Sequence, residues 1–236
     1  MVEIIKNFEK NEVKNLKTII ISVHGFSSSK SSFIVKKLMP ILKENNIGLV
    51  SFDLPGHGEG KNEVLKVSDC LKTIKEVESY VREFYSGPIS FMGKSFGGFL
   101  LLRYLQNNKN KYGKIILMAP ALNQFEIWKL DVSENGQEFI KSLEEGKNHV
   151  VDGMEVDVSI LYDFFKFEIF KNLNVDFDVK LIYGTKDVTV SNKNIKKLAK
   201  IKNWQAFAVE GADHFYRRDE DVKAVSDLFL KIFSEE

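Results

Sequence analysis

Short apolar runs alternate with amphipathic stretches along most of the chain. Thr18–Val23 reads TIIISV, a β-branched run typical of a strand buried on both faces, whereas apolar positions in Phe33–Glu44 recur at helical spacing. The same patterns predict further strands at Val2–Phe8, Ile47–Phe52, Ile89–Met92, Lys114–Met118, Val179–Tyr183 and Trp204–Val209, and further helices at Val67–Phe84, Phe99–Leu105, Asn192–Ile201 and Asp219–Phe233. This alternation indicates an α/β fold with a mostly parallel central sheet and helices on both faces.

The alternation stops between Ala121 and Asp178. This stretch has a polar, glycine-dotted middle over Glu134–Gly153, followed by an aromatic-rich segment, Ser159–Lys171, that is predicted to be helical. We interpret residues 121–178 as a small inserted lid over one end of the sheet. The length of 236 residues fits one domain over residues 1–236 that contains this lid.

Composition narrows the class of partner. With a formal charge of only +1, the chain has no large excess of positive charge to attract nucleic acid or an anionic membrane. A small molecule is therefore the expected partner. No window approaches a membrane-spanning length and the first residues have no apolar signal region, which predicts a cytoplasmic protein without stable membrane insertion. The single cysteine, Cys70, is expected in the core, and the oligomeric state stays open, a homodimer included.

The most informative stretch is ISFMGKSFGGF, residues 89–99. It places Gly93-Lys-Ser95-Phe-Gly97, a G-x-S-x-G pattern, between a predicted strand and a predicted helix. On such a turn a serine hydroxyl is exposed above a helix N-terminus, and glycine on both sides lets strand and helix approach closely. Ser95 is therefore the candidate nucleophile. A tight strand-to-helix turn without chemistry is the alternative.

A serine nucleophile needs a base and an orienting carboxylate. His214 follows the last predicted strand and Asp187 follows the preceding one, so both side chains are expected at the sheet edge that carries Ser95. Asp213 is the weaker candidate for the acid. The other three histidines are expected to hold loops or to lie on the surface: His24, His57 and His149.

Four motifs in order resemble those of the α/β-hydrolase family over essentially the whole chain. They are His24-Gly-Phe26 for the oxyanion loop, Asp53-Leu-Pro-Gly-His-Gly58 after the next strand, the Ser95 turn, and Gly184-Thr-Lys-Asp187 with Gly211-Ala-Asp-His214. The compact size and the position of the insertion resemble small bacterial cinnamoyl (feruloyl) esterases and monoacylglycerol lipases.

The resemblance implies acyl transfer through a covalent acyl-enzyme, with Ser95 as nucleophile, His214 as base and Asp187 as its partner. It also implies an oxyanion hole built from the backbone N–H groups of Phe26 and Phe96, and no requirement for a metal or an organic cofactor. The expected substrates are esters of small to medium acyl groups or aromatic acids. A peptidase, a thioesterase or a carbon–carbon bond hydrolase is the rival reading, and a non-catalytic binding protein is a further one.

The substrate pocket is predicted from aromatic residues of the lid. Phe164 and Phe165 in the predicted helix and Trp128 near the start of the insertion are the candidates, with an ordinary core position as the alternative for the two phenylalanines. Lys94, directly before the nucleophile, has no role assigned from sequence.

Overall fold

The computed structural model of the chain describes residues 2–106, 108, 110–124, 126–127, 145–167 and 169–235. Within these ranges strands and helices alternate as the apolar pattern predicts. The strands are β1 (Ile4–Lys6), β2 (Thr18–Val23), β3 (Ile47–Phe52), β4 (Ile89–Lys94), β5 (Ile115–Met118), β6 (His149–Val151), β7 (Met154–Val156), β8 (Val179–Gly184) and β9 (Ala206–Val209). The helices are α1 (Phe33–Glu44), α2 (Val67–Arg82), α3 (Phe96–Gln106), α4 (Ser159–Lys166), α5 (Ile169–Asn172), α6 (Asn192–Lys202) and α7 (Asp219–Ser234).

Seven of the described strands form one sheet in the order β1-β3-β2-β4-β5-β8-β9. All pairings in it are parallel except that of β1 with β3, which is antiparallel. The mostly parallel sheet is thereby confirmed. Because the strands are parallel, their carboxyl ends lie along one edge, where loops from distant parts of the sequence meet.

The core lies on both faces of this sheet. Every residue of β2, β3 and β8 is buried, which requires covering layers on both sides. Helix α1 packs against α7, and α2 packs against α3. Cys70 lies buried within α2, as predicted, with its thiol unpaired. Within the described ranges no helix combines the length and apolar character needed to cross a bilayer.

The segment between β5 and β8 contains a hairpin that the sequence analysis did not predict. Strands β6 and β7 pair with Val151 opposite Met154, and the two turn residues, Asp152 and Gly153, have φ values of 50° and 77°. Positive φ at both central residues is the geometry of a tight hairpin turn. The hairpin is attached to the body of the protein at Leu65, whose N–H donates to Glu155 O at 2.8 Å.

The aromatic segment predicted as one helix over Ser159–Lys171 is divided into two. Helix α4 ends before Phe167, where φ is −100° and ψ is 73°, and α5 begins at Ile169. The positive ψ turns the next peptide group out of the helical ladder, so the prediction of a continuous helix is wrong. The Phe167 ring is buried against Phe99, with 5.9 Å between ring centroids.

Candidate active site

Ser95 occupies the turn between β4 and α3 in a strained conformation. Its φ is 52°, a left-handed value that is unfavourable for any residue other than glycine. Four backbone contacts hold it there: Ser95 N–H donates to Met118 O at 3.0 Å, and Ser95 O accepts from Gly98 N–H at 2.9 Å, Ala121 N–H at 3.1 Å and Phe99 N–H at 3.2 Å. The Ser95 turn is therefore fixed by the end of β5 as well as by α3.

The glycines of the turn are required by close backbone approach. A β-carbon on Gly97 would lie 2.2 Å from Val23 O, and one on Gly93 would lie 2.7 Å from Gly97 O. Both distances are well inside van der Waals contact with backbone atoms that do not move freely. The pattern G-x-S-x-G thus lets α3 press against the end of β2, next to the loop that begins at His24.

His214 and Asp187 are hydrogen-bonded at the same edge of the sheet. The Nδ1 atom of His214 lies 2.7 Å from Oδ2 of Asp187, and both side chains are buried. The other carboxylate oxygen, Oδ1, accepts from the N–H groups of Thr189 at 2.8 Å and Val190 at 3.0 Å. The structure brings the predicted base and the predicted acid together.

These contacts also set the ionisation of Asp187. Burial alone would raise the pKa of the carboxyl group, but the hydrogen bond and charge of His214, with the N–H groups of Val190 and Thr189, outweigh burial and hold this pKa below its usual value. Asp187 is therefore a carboxylate at neutral pH, as the partner of a catalytic histidine needs to be.

Asp213, the weaker candidate for the acid, makes different contacts. Its Oδ1 accepts from the N–H groups of Phe215 at 2.8 Å and Tyr216 at 3.1 Å, and its side chain is exposed. This arrangement shapes the loop after His214. In the structure the imidazole is bonded to Asp187, not to its sequence neighbour.

Ser95 and His214 line one cavity of about 150 Å³. The cavity opens beside the loop after β2, and Gly25 lies so close to the nucleophile that a β-carbon there would be 3.2 Å from Ser95 Cβ. Its described walls contain hydroxyl, aromatic and cationic side chains: Phe26, Ser27, Ser28, Ser32, Phe33, Lys94, Phe215 and Arg217. A cavity of this volume can hold a small organic group.

The two predicted oxyanion-hole residues lie side by side. The rings of Phe26 and Phe96 meet edge to face, with 6.2 Å between centroids. Phe96 is the first residue of α3, where the helical ladder provides no acceptor for the N–H group and the helix dipole favours negative charge. Phe26 lines the Ser95 cavity and Phe96 directly follows Ser95 in the chain, so the backbone of this region is suited to binding an anion.

His24 and His57 hold loops, as predicted. His24 Nε2 accepts from Leu54 N–H at 3.0 Å, which leaves the proton on Nδ1 to be donated to Gly25 O at 2.8 Å. Burial, with a smaller contribution from His57, lowers the pKa of His24 to about 4. Burial also lowers the pKa of His57, whose ring lies 5.0 Å from that of His24. Both rings are neutral at pH 7. His149 lies in β6, within the hairpin.

The predicted pocket aromatics are only partly within the described chain. Phe164 is buried, and its ring meets those of Phe96 at 6.2 Å and Phe99 at 5.3 Å. It therefore stands behind Phe96, the predicted oxyanion-hole residue. Trp128 and the side chain of Phe165 lie outside the described residues.

Two features of the site were missed by the sequence analysis. Arg217 joins Lys94 in the cavity wall, and Ser27 Oγ donates to Asp152 Oδ2 at 2.9 Å, which ties the hairpin turn to the oxyanion loop. Lys94 stood out in the sequence as a charged residue directly before Ser95. No local sequence pattern indicated Arg217, Ser27 or Asp152 as part of the site. Among the described residues no group of three or more histidine, cysteine, aspartate or glutamate side chains is arranged to hold a metal ion.

Solved structures with the same fold include several hydrolases. Est1E from Butyrivibrio proteoclasticus with bound ferulic acid matches with a TM-score of 0.75 and 17% identity over 99% of this chain and 96% of that one. A monoacylglycerol lipase from Paleococcus ferrophilus matches with a TM-score of 0.71 and 18% identity over 100% of both chains. Mouse alpha/beta hydrolase domain-containing protein 10 matches with a TM-score of 0.72 and 18% identity over 92% of this chain and 90% of that one.

The sequence comparisons assign a family. No curated protein matches the chain in sequence. A hydrolase family model described as serine aminopeptidase, S33 matches residues 14–166, which include β2 through α4 and the Ser95 turn. This match and the fold agree: the chain is a hydrolase that belongs to the serine aminopeptidase S33 family and has the α/β-hydrolase fold.

Proposed function

We propose that the protein is a serine hydrolase that cleaves carboxylic esters with Ser95 as nucleophile, His214 as base and Asp187 as the acid of the triad. One observation carries the proposal. A strained serine and a carboxylate-bound histidine, brought from loops more than 100 residues apart, line the same small cavity. A structural turn alone has no need of the Asp187–His214 pair.

The chemistry follows from these positions. Ser95 Oγ attacks the ester carbonyl carbon while His214 Nε2 takes the hydroxyl proton, and the imidazolium is stabilised by Asp187. Collapse of the tetrahedral intermediate breaks the bond to the alkoxy oxygen, which leaves as an alcohol with the proton from His214. A water molecule then repeats the sequence on the acyl-enzyme, releasing the acid and restoring Ser95.

The backbone N–H groups of Phe26 and Phe96 are the proposed donors to the oxyanion. Loss of one such donor typically costs about 2.7–4 kcal/mol of transition-state stabilisation. The strained φ of Ser27, 51°, and its hydrogen bond to Asp152 support this role, because both restrain the chain directly after Phe26.

Esters are the proposed substrates because two structural relatives, Est1E with bound ferulic acid and the monoacylglycerol lipase, match this chain over nearly its whole length. The family description names an aminopeptidase, and this favours a peptidase as the second candidate. A thioesterase and a carbon–carbon bond hydrolase share the same triad chemistry. We also propose a cytoplasmic location; the single cysteine, which allows no internal disulfide, is in keeping with a reducing compartment.

The segment 121–178 is the proposed lid of a single domain. Its support is position, because it follows β5 at the edge that carries Ser95, and its hairpin contacts Ser27. Phe164, Phe165 and Trp128 remain the proposed aromatic contribution to the acyl pocket, with Phe164 acting from behind Phe96.

Active-site labelling tests the proposal. A fluorophosphonate should modify Ser95, located by mass spectrometry, and Ser95→Ala should abolish both labelling and ester turnover. Ser68→Ala, which changes an exposed serine of α2, is the matched control and should behave as wild type. A panel of esters, thioesters and aminoacyl amides then separates the candidate reactions. Labelling at another serine, or cleavage of amides alone, would refute the ester assignment.

A further inference from the structure

Two cationic side chains line the Ser95 cavity without a carboxylate partner. Lys94 ends β4 directly before the nucleophile, and Arg217 follows His214 by three residues. Among the described residues no carboxylate oxygen lies within ion-pairing distance of either side chain. By contrast, buried Lys30 pairs with Asp53 at 3.2 Å and Glu59 at 2.6 Å.

The Phe215 ring holds both cations at the cavity. Lys94 Nζ lies 5.3 Å from the ring centroid, and the Arg217 guanidinium carbon lies 4.5 Å from it. A cation over an aromatic face is attracted to it but keeps its full charge. Phe215 is 47% exposed, so the ring forms part of the cavity mouth and positions positive charge there.

The carboxylates nearest to this cavity are already bound by donors. Asp187 is bonded to His214 and to two backbone N–H groups, Asp213 accepts from two N–H groups of its own loop, and Asp152 accepts from Ser27. No carboxylate belongs to the described wall of the cavity. Among the described residues, therefore, no carboxylate pairs with Lys94 or Arg217, and their positive charge is available to a group that enters the cavity.

The charge of Lys94 persists at neutral pH. Burial lowers the pKa of its ammonium group to about 8, against the raising effect of Asp187. At pH 7 about nine-tenths of the Lys94 side chains are still protonated. The planar guanidinium of Arg217 can bind a carboxylate through two parallel hydrogen bonds.

We propose that Lys94 and Arg217 form an anion subsite beside Ser95, and that the substrates are half-esters of short dicarboxylic acids. The inference rests on the proposed function, since it places the free carboxylate of the acyl group next to the nucleophile. The cavity volume of about 150 Å³ sets the size. With about 30 Å³ for each water-sized group, it accepts an acyl chain of four or five carbons with its carboxylate.

Competition between two esters of equal shape tests the subsite. Monoethyl glutarate and ethyl 5-methylhexanoate differ only in a carboxylate replaced by an isopropyl group, and their hydrolysis in one mixture at pH 7 gives the ratio of kcat/KM directly. We expect wild type to favour the glutarate half-ester at least tenfold. Lys94→Met and Arg217→Gln should each lower this ratio about tenfold, which corresponds to about 1.4 kcal/mol. Lys94→Arg should retain the preference.

The controls separate charge at the cavity from charge elsewhere. Lys200→Met removes an exposed cation of α6 and should leave the ratio unchanged, whereas 0.5 M salt should lower the ratio of wild type. Arg217 is exposed, so its variant tests the subsite even if Lys94→Met does not fold. A wild-type ratio of one or less, or an unchanged ratio in Arg217→Gln, would overturn the subsite alone. Hydrolysis of neither ester, with no label on Ser95, would overturn the proposed function and the subsite together.

Discussion

The imidazole of His214 is fixed by one oxygen of Asp187, 2.7 Å from Nδ1, while the other oxygen is held by the backbone of Thr189 and Val190. The carboxylate therefore cannot rotate without losing two N–H bonds. As a result the proton of neutral His214 stays on Nδ1, and Nε2 keeps the lone pair that a base needs.

Replacing this carboxylate by its amide should disable the base. Asp187→Asn keeps the shape of the side chain, but it favours the wrong tautomer of His214, and kcat should fall by up to about ten-thousandfold. Asp213→Asn is the matched control and should retain activity near that of wild type. Ester hydrolysis rates of the two variants provide the measurement, and a dead Asp213→Asn beside an active Asp187→Asn would reverse the assignment.

Acid should destabilise the protein through the oxyanion loop. The pKa of His24 is lowered from 6.5 to about 4, so between these pH values the unfolded chain binds a proton that the folded protein does not. Stability is therefore retained above pH 6.5 and falls as the pH drops towards 4, by about 3 kcal/mol for this group.

Urea unfolding at a series of pH values measures this loss. His57, whose pKa is also lowered by burial, should add to it in the same direction. His24→Gln should be less stable than wild type at pH 7 but should show a shallower decline with acid. An equally steep decline in that variant would remove His24 from the explanation.

Truncating the Phe164 ring should affect both stability and selectivity. The ring is 3% exposed between Phe96 and Phe99, so Phe164→Ala should lower the free energy of unfolding by about 3–5 kcal/mol. Because the ring is the proposed wall behind Phe96, its loss should also shift the substrate preference towards esters with longer acyl chains. Tyr162→Ala, on the exposed side of the same helix, is the control.

The measurement is a substrate ranking across acetate, butyrate, octanoate and hydroxycinnamate esters, with unfolding curves for both variants. If Phe164→Ala lost stability and kept the ranking of wild type, the ring would be ordinary core and its place in the acyl pocket would be withdrawn.

A methyl group on Gly97 should disrupt the nucleophile turn. Its β-carbon would meet Val23 O at 2.2 Å and His24 O at 2.5 Å, so α3 must move away from β2. Gly97→Ala should cost about 3 kcal/mol of stability and slow the labelling of Ser95. At Gly60 a β-carbon finds only contacts of 3.5 Å or more, so Gly60→Ala is the control. Equal melting temperatures of the two variants would contradict the close approach.

Much of the fold was visible in the sequence because the buried strands are continuous apolar runs, as in Thr18–Val23. The hairpin was missed although it carries a signal: Asp152-Gly153 lies between two short apolar segments, and an Asp-Gly pair favours a tight hairpin turn. Each strand has only three residues, too few for a period to stand out. The division at Phe167 had no such signal.

The candidate site, too, could be predicted from the sequence only in part. Ser95, Asp187 and His214 each follow a strand of one parallel sheet, so topology alone predicts that they meet. Arg217 reaches Lys94 across 123 positions of sequence through the ring of Phe215, and no periodicity encodes such a contact. Side-chain convergence of this kind depends on the packed structure.

The attachment of Ser95 to the end of β5 and of the hairpin to Leu65 limits how this enzyme can be recombined with its relatives. Because Ser95 O accepts from Ala121 N–H, a foreign segment joined before Ala121 would replace a support of the Ser95 turn. Because Leu65 pairs with both Glu155 and Asp157, a foreign hairpin would lose its anchor unless the loop around Leu65 were transferred with it. The segment that could be exchanged therefore consists of two separate stretches of chain, one that begins after Ala121 and one around Leu65. A single crossover cannot exchange both.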